Sequence, residues 1–317
     1  VFGTRILRAA VVTAGAVGGL TGAAYGLLNG QSRRARKIIG VPGAPLRADG
    51  VYLPDGTGPL DPADPRVPAD PLVFAVLGDS SAAGVGCDTE LELPGVLLAR
   101  GLAEESERPV RLLTHAISGA TSRELAGQTE AALVTPPDLA LVIIGGNDVT
   151  ARLGPGACAA LLAASVRQLV EAGAKVVVGT CPDLGAIRPI AQPLRSVVRS
   201  WSLTLARYQR KAVVLAGGHP VPLADLLSPE FLTRPAELFS KDMFHPSAAG
   251  YLAAAGVLLP ELCAAAGFWD GGPLPEQPTR SAAVEARRPT ARLVARLNKS
   301  LRGIPSPTSH SAAVTGQ

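Results

Sequence analysis

Leu72-Val73-Phe74-Ala75-Val76-Leu77-Gly78-Asp79-Ser80-Ser81-Ala82-Ala83-Gly84-Val85-Gly86 is the stretch that decides the fold. Its first six residues are apolar, show no polar alternation and are rich in Val, Leu and Phe, the pattern of a strand buried on both faces. Gly78-Asp79-Ser80 then breaks the run and leaves a serine at the carboxyl end of a central strand. In a parallel α/β sheet that edge is where ligands bind, because helices cover both faces and only the loops at the strand ends stay open. The small residues Ser81-Ala82-Ala83-Gly84 let a ligand approach the backbone closely. They also suit the start of a helix, whose first N–H groups favour negative charge. Ser80 is the candidate nucleophile.

Outward from this stretch, strand-like and helix-like segments alternate. A helix is expected near 91–104, a strand at Val110–Thr114 and a helix near 122–132. Leu139-Ala140-Leu141-Val142-Ile143-Ile144 is continuous and apolar, hence a second central strand. The pattern then predicts a helix over 156–172, a strand at Lys175–Gly179, a helix over 194–209, a strand at Ala212–Leu215 and a last helix over 247–266. Alternation of this kind implies an α/β fold, a doubly wound five-stranded parallel sheet with helices on both faces, spanning 72–267. No internal repeat is visible.

The flanks differ from this core. Residues 9–28 carry no charged side chain over about the length that spans a bilayer. Arg5 and Arg8 precede them, and Arg33, Arg34, Arg36 and Lys37 follow. Residues 1–37 therefore read as a membrane anchor or a cleaved signal, and the basic count after the span favours a cytoplasmic domain by the positive-inside rule. The chain is accordingly expected to be membrane-anchored or exported to the cell envelope, with the face of the membrane left open. Residues 38–71 hold eight of the 28 prolines and read as an extended linker. Residues 268–317 are basic and rich in Pro, Ser and Thr, and read as a disordered tail. Within it, residues 290–302 have the spacing of a membrane-surface helix.

The formal charge is +4, with the excess at the two ends. A basic face without interleaved aromatics argues against a nucleic-acid partner and fits an anionic membrane surface or plain solvation better. Cys87, Cys158, Cys181 and Cys263 are widely spaced with no CxxC, which argues against structural zinc and leaves disulfide pairing open.

Four short motifs fall after strands or before the last helix: Gly78-Asp79-Ser80, Ser118-Gly119-Ala120-Thr121, Gly145-Gly146-Asn147-Asp148 and Asp242-Met243-Phe244-His245. Each alone is ordinary turn chemistry. Their joint order resembles that of the SGNH hydrolases, also called GDSL esterases and lipases, over roughly residues 72–266. The resemblance implies a three-layer α/β/α fold of flavodoxin-like type, activity on carboxylic esters or thioesters, and no cofactor. The four named residues would be Ser80, Gly119, Asn147 and His245.

The chemistry explains why these residue types are needed. A serine hydroxyl attacks an acyl carbonyl only when a base takes its proton, and a histidine suits that task. Asp242, three residues before His245, is close enough for a turn to let its carboxylate fix the imidazole tautomer. The resemblance further implies an oxyanion hole from the backbone N–H of Ser80, the backbone N–H of Gly119 and the side-chain amide of Asn147. Asp79, Asp148, Asp242 and His245 could also be drawn as a metal cluster, but serine and asparagine would then be idle, so no metal is expected. His115, His219 and His310 read as packing, loop and tail residues. Ala82, Ala83, Val149, Leu153, Met243 and Phe244, near the motifs, are expected to line an apolar acyl pocket. The expected function is a serine esterase working through a Ser80 acyl-enzyme. An acyltransferase or carbohydrate O-deacetylase using the same residues, and an inactive membrane-tethered binding module, are the alternatives.

Overall fold

The computed structural model describes residues 23–40 and 43–268. Residues 1–22, with most of the uncharged run, and residues 269–317, with the candidate helix at 290–302 and His310, lie outside the described residues.

Six strands form one sheet in the order β1-β3-β2-β4-β5-β6. They are β1 (Gly50–Tyr52), β2 (Leu72–Gly78), β3 (Val110–Thr114), β4 (Leu139–Ile143), β5 (Lys175–Gly179) and β6 (His219–Val221). Strands β2 to β6 pair in parallel, and β1 pairs antiparallel with β3. Both β2 and β4 are apolar throughout, because helices cover both of their faces. On one face, Phe74 and Val76 pack with α3 (Pro94–Ser106) and α10 (Ala248–Ala266). On the other, Ala75 and Leu77 join α4 (Leu125–Leu133), α6 (Pro155–Glu171) and α7 (Leu194–Leu215). The chain runs from β2 to β3 on one side and then crosses to β4 on the other. The strand order thus reverses beside β2, and the carboxyl ends of β2 and β4 flank the crevice where such sheets take ligands.

The sheet departs from the expected five parallel strands in two places. The Pro-rich stretch read as a linker supplies β1, whose Val51 and Tyr52 are fully buried and whose Tyr52 hydroxyl donates to the Ala48 carbonyl at 2.6 Å. Residues 212–215 are not a strand but the last turn of α7. Val213 is buried while Val214 and Leu215 are 58% and 74% exposed, so the run continues a helical period rather than filling a two-sided strand. The last strand is the short β6, where Pro220 is tolerated because the strand lies at the sheet edge.

Residues 23–39 form a helix, α1, that lies against the domain. Ala35 is buried, and the Gln31 side chain both donates to the Gln192 carbonyl and accepts from the Leu194 N–H. Helix α10 is long and apolar enough to cross a membrane by length and composition. Here it covers the sheet beside α3, with Tyr251, Leu258 and Leu262 buried and the Tyr251 hydroxyl donating to the Val85 carbonyl at 2.7 Å.

Candidate active site

Ser80 opens α2 (Ser80–Ala83), the first turn after β2. The bend that puts it there depends on Gly78, at φ 137°, where an added Cβ would lie 1.9 Å from the Ile143 carbonyl oxygen. Asp79 caps the turn, its carboxylate accepting from the Ser81 N–H at 2.9 Å. The Ser80 N–H stands at the helix start, where no intrahelical acceptor exists.

His245 comes from a compact loop before α10. Ser240 and His245 are joined by a backbone bond of 2.8 Å, and Phe239 bridges Pro246. Gly86 packs so closely under the loop that a Cβ there would meet the Pro246 carbonyl at 2.4 Å, so the nucleophile turn and the histidine loop are fitted to each other. His245 Nε2 lies 2.9 Å from Ser80 Oγ, and His245 Nδ1 lies 2.6 Å from Asp242 Oδ2. Asp242 Oδ1 accepts from the Phe244 and His245 N–H groups and from the Ser240 hydroxyl. Partial burial opposes ionisation of Asp242, but the bonds from the His245 ring and from the two amides outweigh it and hold the carboxyl well below the usual range.

The loop after β3 is clipped to the end of β2 by the His115, Ala116 and Ile117 N–H groups, which donate to Val76 and Gly78 carbonyls. Gly119 sits on this loop at φ 86° with open space where a side chain would be. Asn147, on α5 (Gly146–Thr150) after β4, donates its amide to the Ala120 carbonyl at 3.0 Å. Asp148 beside it accepts from both the N–H and the hydroxyl of buried Ser122. These bonds draw the Gly119 and Asn147 segments to the Ser80 end of β2. They also occupy Asp148, one of the carboxylates of the alternative metal cluster. Burial pushes the Asp79 carboxyl up to about 6, against the pull of the Ser81 N–H and nearby His245.

An apolar cavity of about 90 Å³ opens beside Ser80 and Asn147. Of the six residues expected to line it, only Phe244 does so. Ala82 and Ala83 turn into the core under α3, and Val149, Leu153 and Met243 belong to the surrounding apolar cluster. The walls come instead from Leu184, Ala186 and Ile187 after β5, from Leu223, Leu227 and Phe231 on α8 (Leu223–Thr233), and from Phe239. Those segments follow the carboxyl ends of β5 and β6, on the same sheet edge as the motifs. The sequence pattern predicts no element between 215 and 247, so α8 is not among the expected helices. Of the other histidines, His115 is half-buried with an unpartnered Nε2, and His219 is exposed on β6. All four thiols are free.

The profile of the GDSL-like Lipase/Acylhydrolase family matches residues 76–253, which carry all four motifs. The chain belongs to this family. A GDSL-like relative, the esterase Rv1075c of Mycobacterium tuberculosis, is 49% identical over 256 residues, which are 78% of this chain and 81% of that protein. The fold is shared with LAE5, an alpha/beta hydrolase from the metagenome of Lake Arreo, Spain, at a TM-score of 0.50 and 20% identity, covering 63% of this chain and 97% of LAE5. The lipase/acylhydrolase of Enterococcus faecalis aligns at a TM-score of 0.46 and 20% identity, over 60% and 94% of the two chains. As a GDSL-family enzyme, the protein is an ester hydrolase.

Proposed function

We propose that the enzyme cleaves carboxylic esters through a covalent acyl-enzyme on Ser80. His245 Nε2 takes the Ser80 proton as Oγ attacks the acyl carbon, and the resulting imidazolium is stabilised by the Asp242 carboxylate. The oxyanion of the tetrahedral intermediate is met by the N–H groups of Ser80 and Gly119 and by the Asn147 amide. His245 then protonates the departing alcohol, and a water activated by the same imidazole releases the acid. The support is the unbroken relay from Asp242 Oδ2 through His245 to Ser80 Oγ, at 2.6 and 2.9 Å. The acyl group enters the cavity lined by Leu184, Ile187, Leu227 and Phe231. The uncharged run at 9–28 is the segment that holds the enzyme at a membrane.

Hydrolysis of p-nitrophenyl acetate and butyrate by the full chain, compared with Ser80→Ala and His245→Ala, is the test. Each substitution is expected to lower turnover by a factor on the order of 10⁴ to 10⁶. A fluorophosphonate probe is expected to label the native chain but not Ser80→Ala. Equal rates in all three proteins would remove the acyl-enzyme.

A further inference from the structure

Helix α1 is where the uncharged run of the sequence meets the catalytic domain. Its inner side is Gln31, Ala35 and Ile39, spaced by four residues. Gln31 bonds the 192–194 backbone, and Ala35 and Ile39 join the apolar cluster that contains the cavity walls Leu184, Ile187 and Phe231. Two further bonds tie the helix to the end of α5, the element that bears Asn147. The Arg36 guanidinium donates to the Thr150 carbonyl, and the Arg152 guanidinium donates to Asn29. A tether needs none of these contacts. They make the domain and α1 one packed unit, the helix sharing one apolar cluster with walls of the acyl cavity.

The opposite side of α1 carries Arg33, Arg34 and Lys37, all exposed. Among the described residues none of the three forms a salt bridge, and residues 23–48 contain no Asp or Glu. The Tyr25 ring is held under the Arg152 guanidinium of the domain at 5.8 Å, whereas Leu27, also within the end of the uncharged run, is 52% exposed. An exposed leucine followed by a cationic face makes up a surface that fits the interface of an anionic bilayer, with the cations among the headgroups.

We propose that α1 seats its Arg33, Arg34 and Lys37 face on an anionic membrane surface and so holds the acyl cavity in a fixed orientation toward esters resident in that membrane. The substrate class that follows is the acyl ester of a membrane lipid rather than of a freely soluble alcohol. The inference rests on the esterase mechanism proposed above, and its test separates the two.

The full chain is reconstituted into vesicles of phosphatidylcholine alone or of phosphatidylcholine with phosphatidylglycerol. Each preparation is assayed on soluble p-nitrophenyl butyrate and on a fluorogenic diacyl ester dissolved in the bilayer. A single cation at an anionic surface contributes about fivefold to binding, so the anionic vesicles are expected to raise turnover of the bilayer ester at least about tenfold. Turnover of the soluble ester should not change. The triple variant Arg33→Glu, Arg34→Glu, Lys37→Glu leaves Gln31, Ala35 and Arg36 in place. It is expected to lose the anionic preference while keeping its soluble-ester rate. High salt should have the same effect on the native chain. Hydrogen exchange over residues 33–37, slower in anionic than in zwitterionic vesicles, reports seating without any turnover. Equal bilayer-ester rates on the two vesicles, or a preference that survives charge reversal, would overturn the proposal. Slowed exchange with no hydrolysis of either ester would instead overturn the mechanism and leave the seating standing.

Discussion

Gln128 grips Gly78 by both ends of its amide: the Gly78 N–H donates to Oε1 at 2.7 Å, and Nε2 donates to the Gly78 carbonyl at 2.9 Å. The side chain is buried, so these bonds fix the last residue of β2 two positions before Ser80. A second buried glutamine does the same one strand over. Gln209 accepts from the Cys181 N–H at 2.7 Å and donates to the Ile144 carbonyl at 2.9 Å, joining the ends of β4 and β5. Where strands stop pairing to make room for a site, their backbone groups lose sheet partners, and the two amides replace them.

Gln128→Met keeps the volume of the side chain and removes both bonds. It strands the buried Gly78 N–H, which costs about 1–3 kcal/mol, while the Gly78 carbonyl keeps the Ile117 N–H. The expected loss is about 1–3 kcal/mol of stability, read as a lower urea midpoint with an unchanged slope. An unchanged midpoint would mean that the grip is redundant.

The glutamines mark the limit of what the sequence discloses. Strands β2, β4 and β5 and the motifs behind them are legible because two-sided burial leaves a run with no polar interruption and because Gly, Asp and Asn punctuate its end. A glutamine within a helix carries no such mark, since its composition is that of a solvated position. Strands β1 and β6 are three residues each, one set in a proline-rich stretch and one containing Pro220. Neither is long enough to show a period. The β-branched pair at Val213 and Val214 points to a strand, but the packing of α7 against α6 overrides that local preference. Most of the cavity wall is illegible for a related reason: Leu184, Ala186, Ile187, Leu223, Leu227 and Phe231 follow β5 and β6, distant in sequence from every motif.

Asn147 supplies one donor of the proposed oxyanion hole and is already oriented by its bond to the Ala120 carbonyl. Asn147→Ala is expected to lower kcat on the order of 10²- to 10³-fold with KM little changed, because the donor acts where charge develops in the transition state. Gly119→Ala tests the same hole from the other side. The position has room for a methyl group but sits at φ 86°. The cost is therefore backbone strain of about 1–2 kcal/mol and a displaced N–H. A variant with full activity and only reduced stability would remove Gly119 from the hole.

Leu227 reaches the cavity from α8 and can be enlarged without touching the relay. A buried methylene contributes up to roughly 0.8 kcal/mol, so a hexanoyl ester gains substantially over an acetyl ester when its chain fills the cavity. Leu227→Trp should shorten the accepted chain, lowering kcat/KM for the hexanoyl ester at least about tenfold relative to the acetyl ester. A uniform loss across the series would show that the acyl group lies elsewhere.

Asp79 gives the protein a stability profile of unusual sign. Its carboxyl, fully buried, is pushed from 3.8 up to about 6. Between those values the folded chain holds a proton that the unfolded chain has released, so stability falls as pH rises from about 4 to 6, by about 3 kcal/mol for a shift of this size. Asp242 works in the adjacent window. Its carboxyl is held below the usual value, so its contribution is present above about pH 4 and is lost as the pH drops further. Asp79→Asn retains an oxygen to accept from Ser81 and removes the buried charge. It should flatten the decline between pH 4 and 6 and leave the variant more stable than the native chain above pH 6. Urea unfolding across that range checks it, and parallel curves for the two proteins would show that the Asp79 charge is compensated by its surroundings.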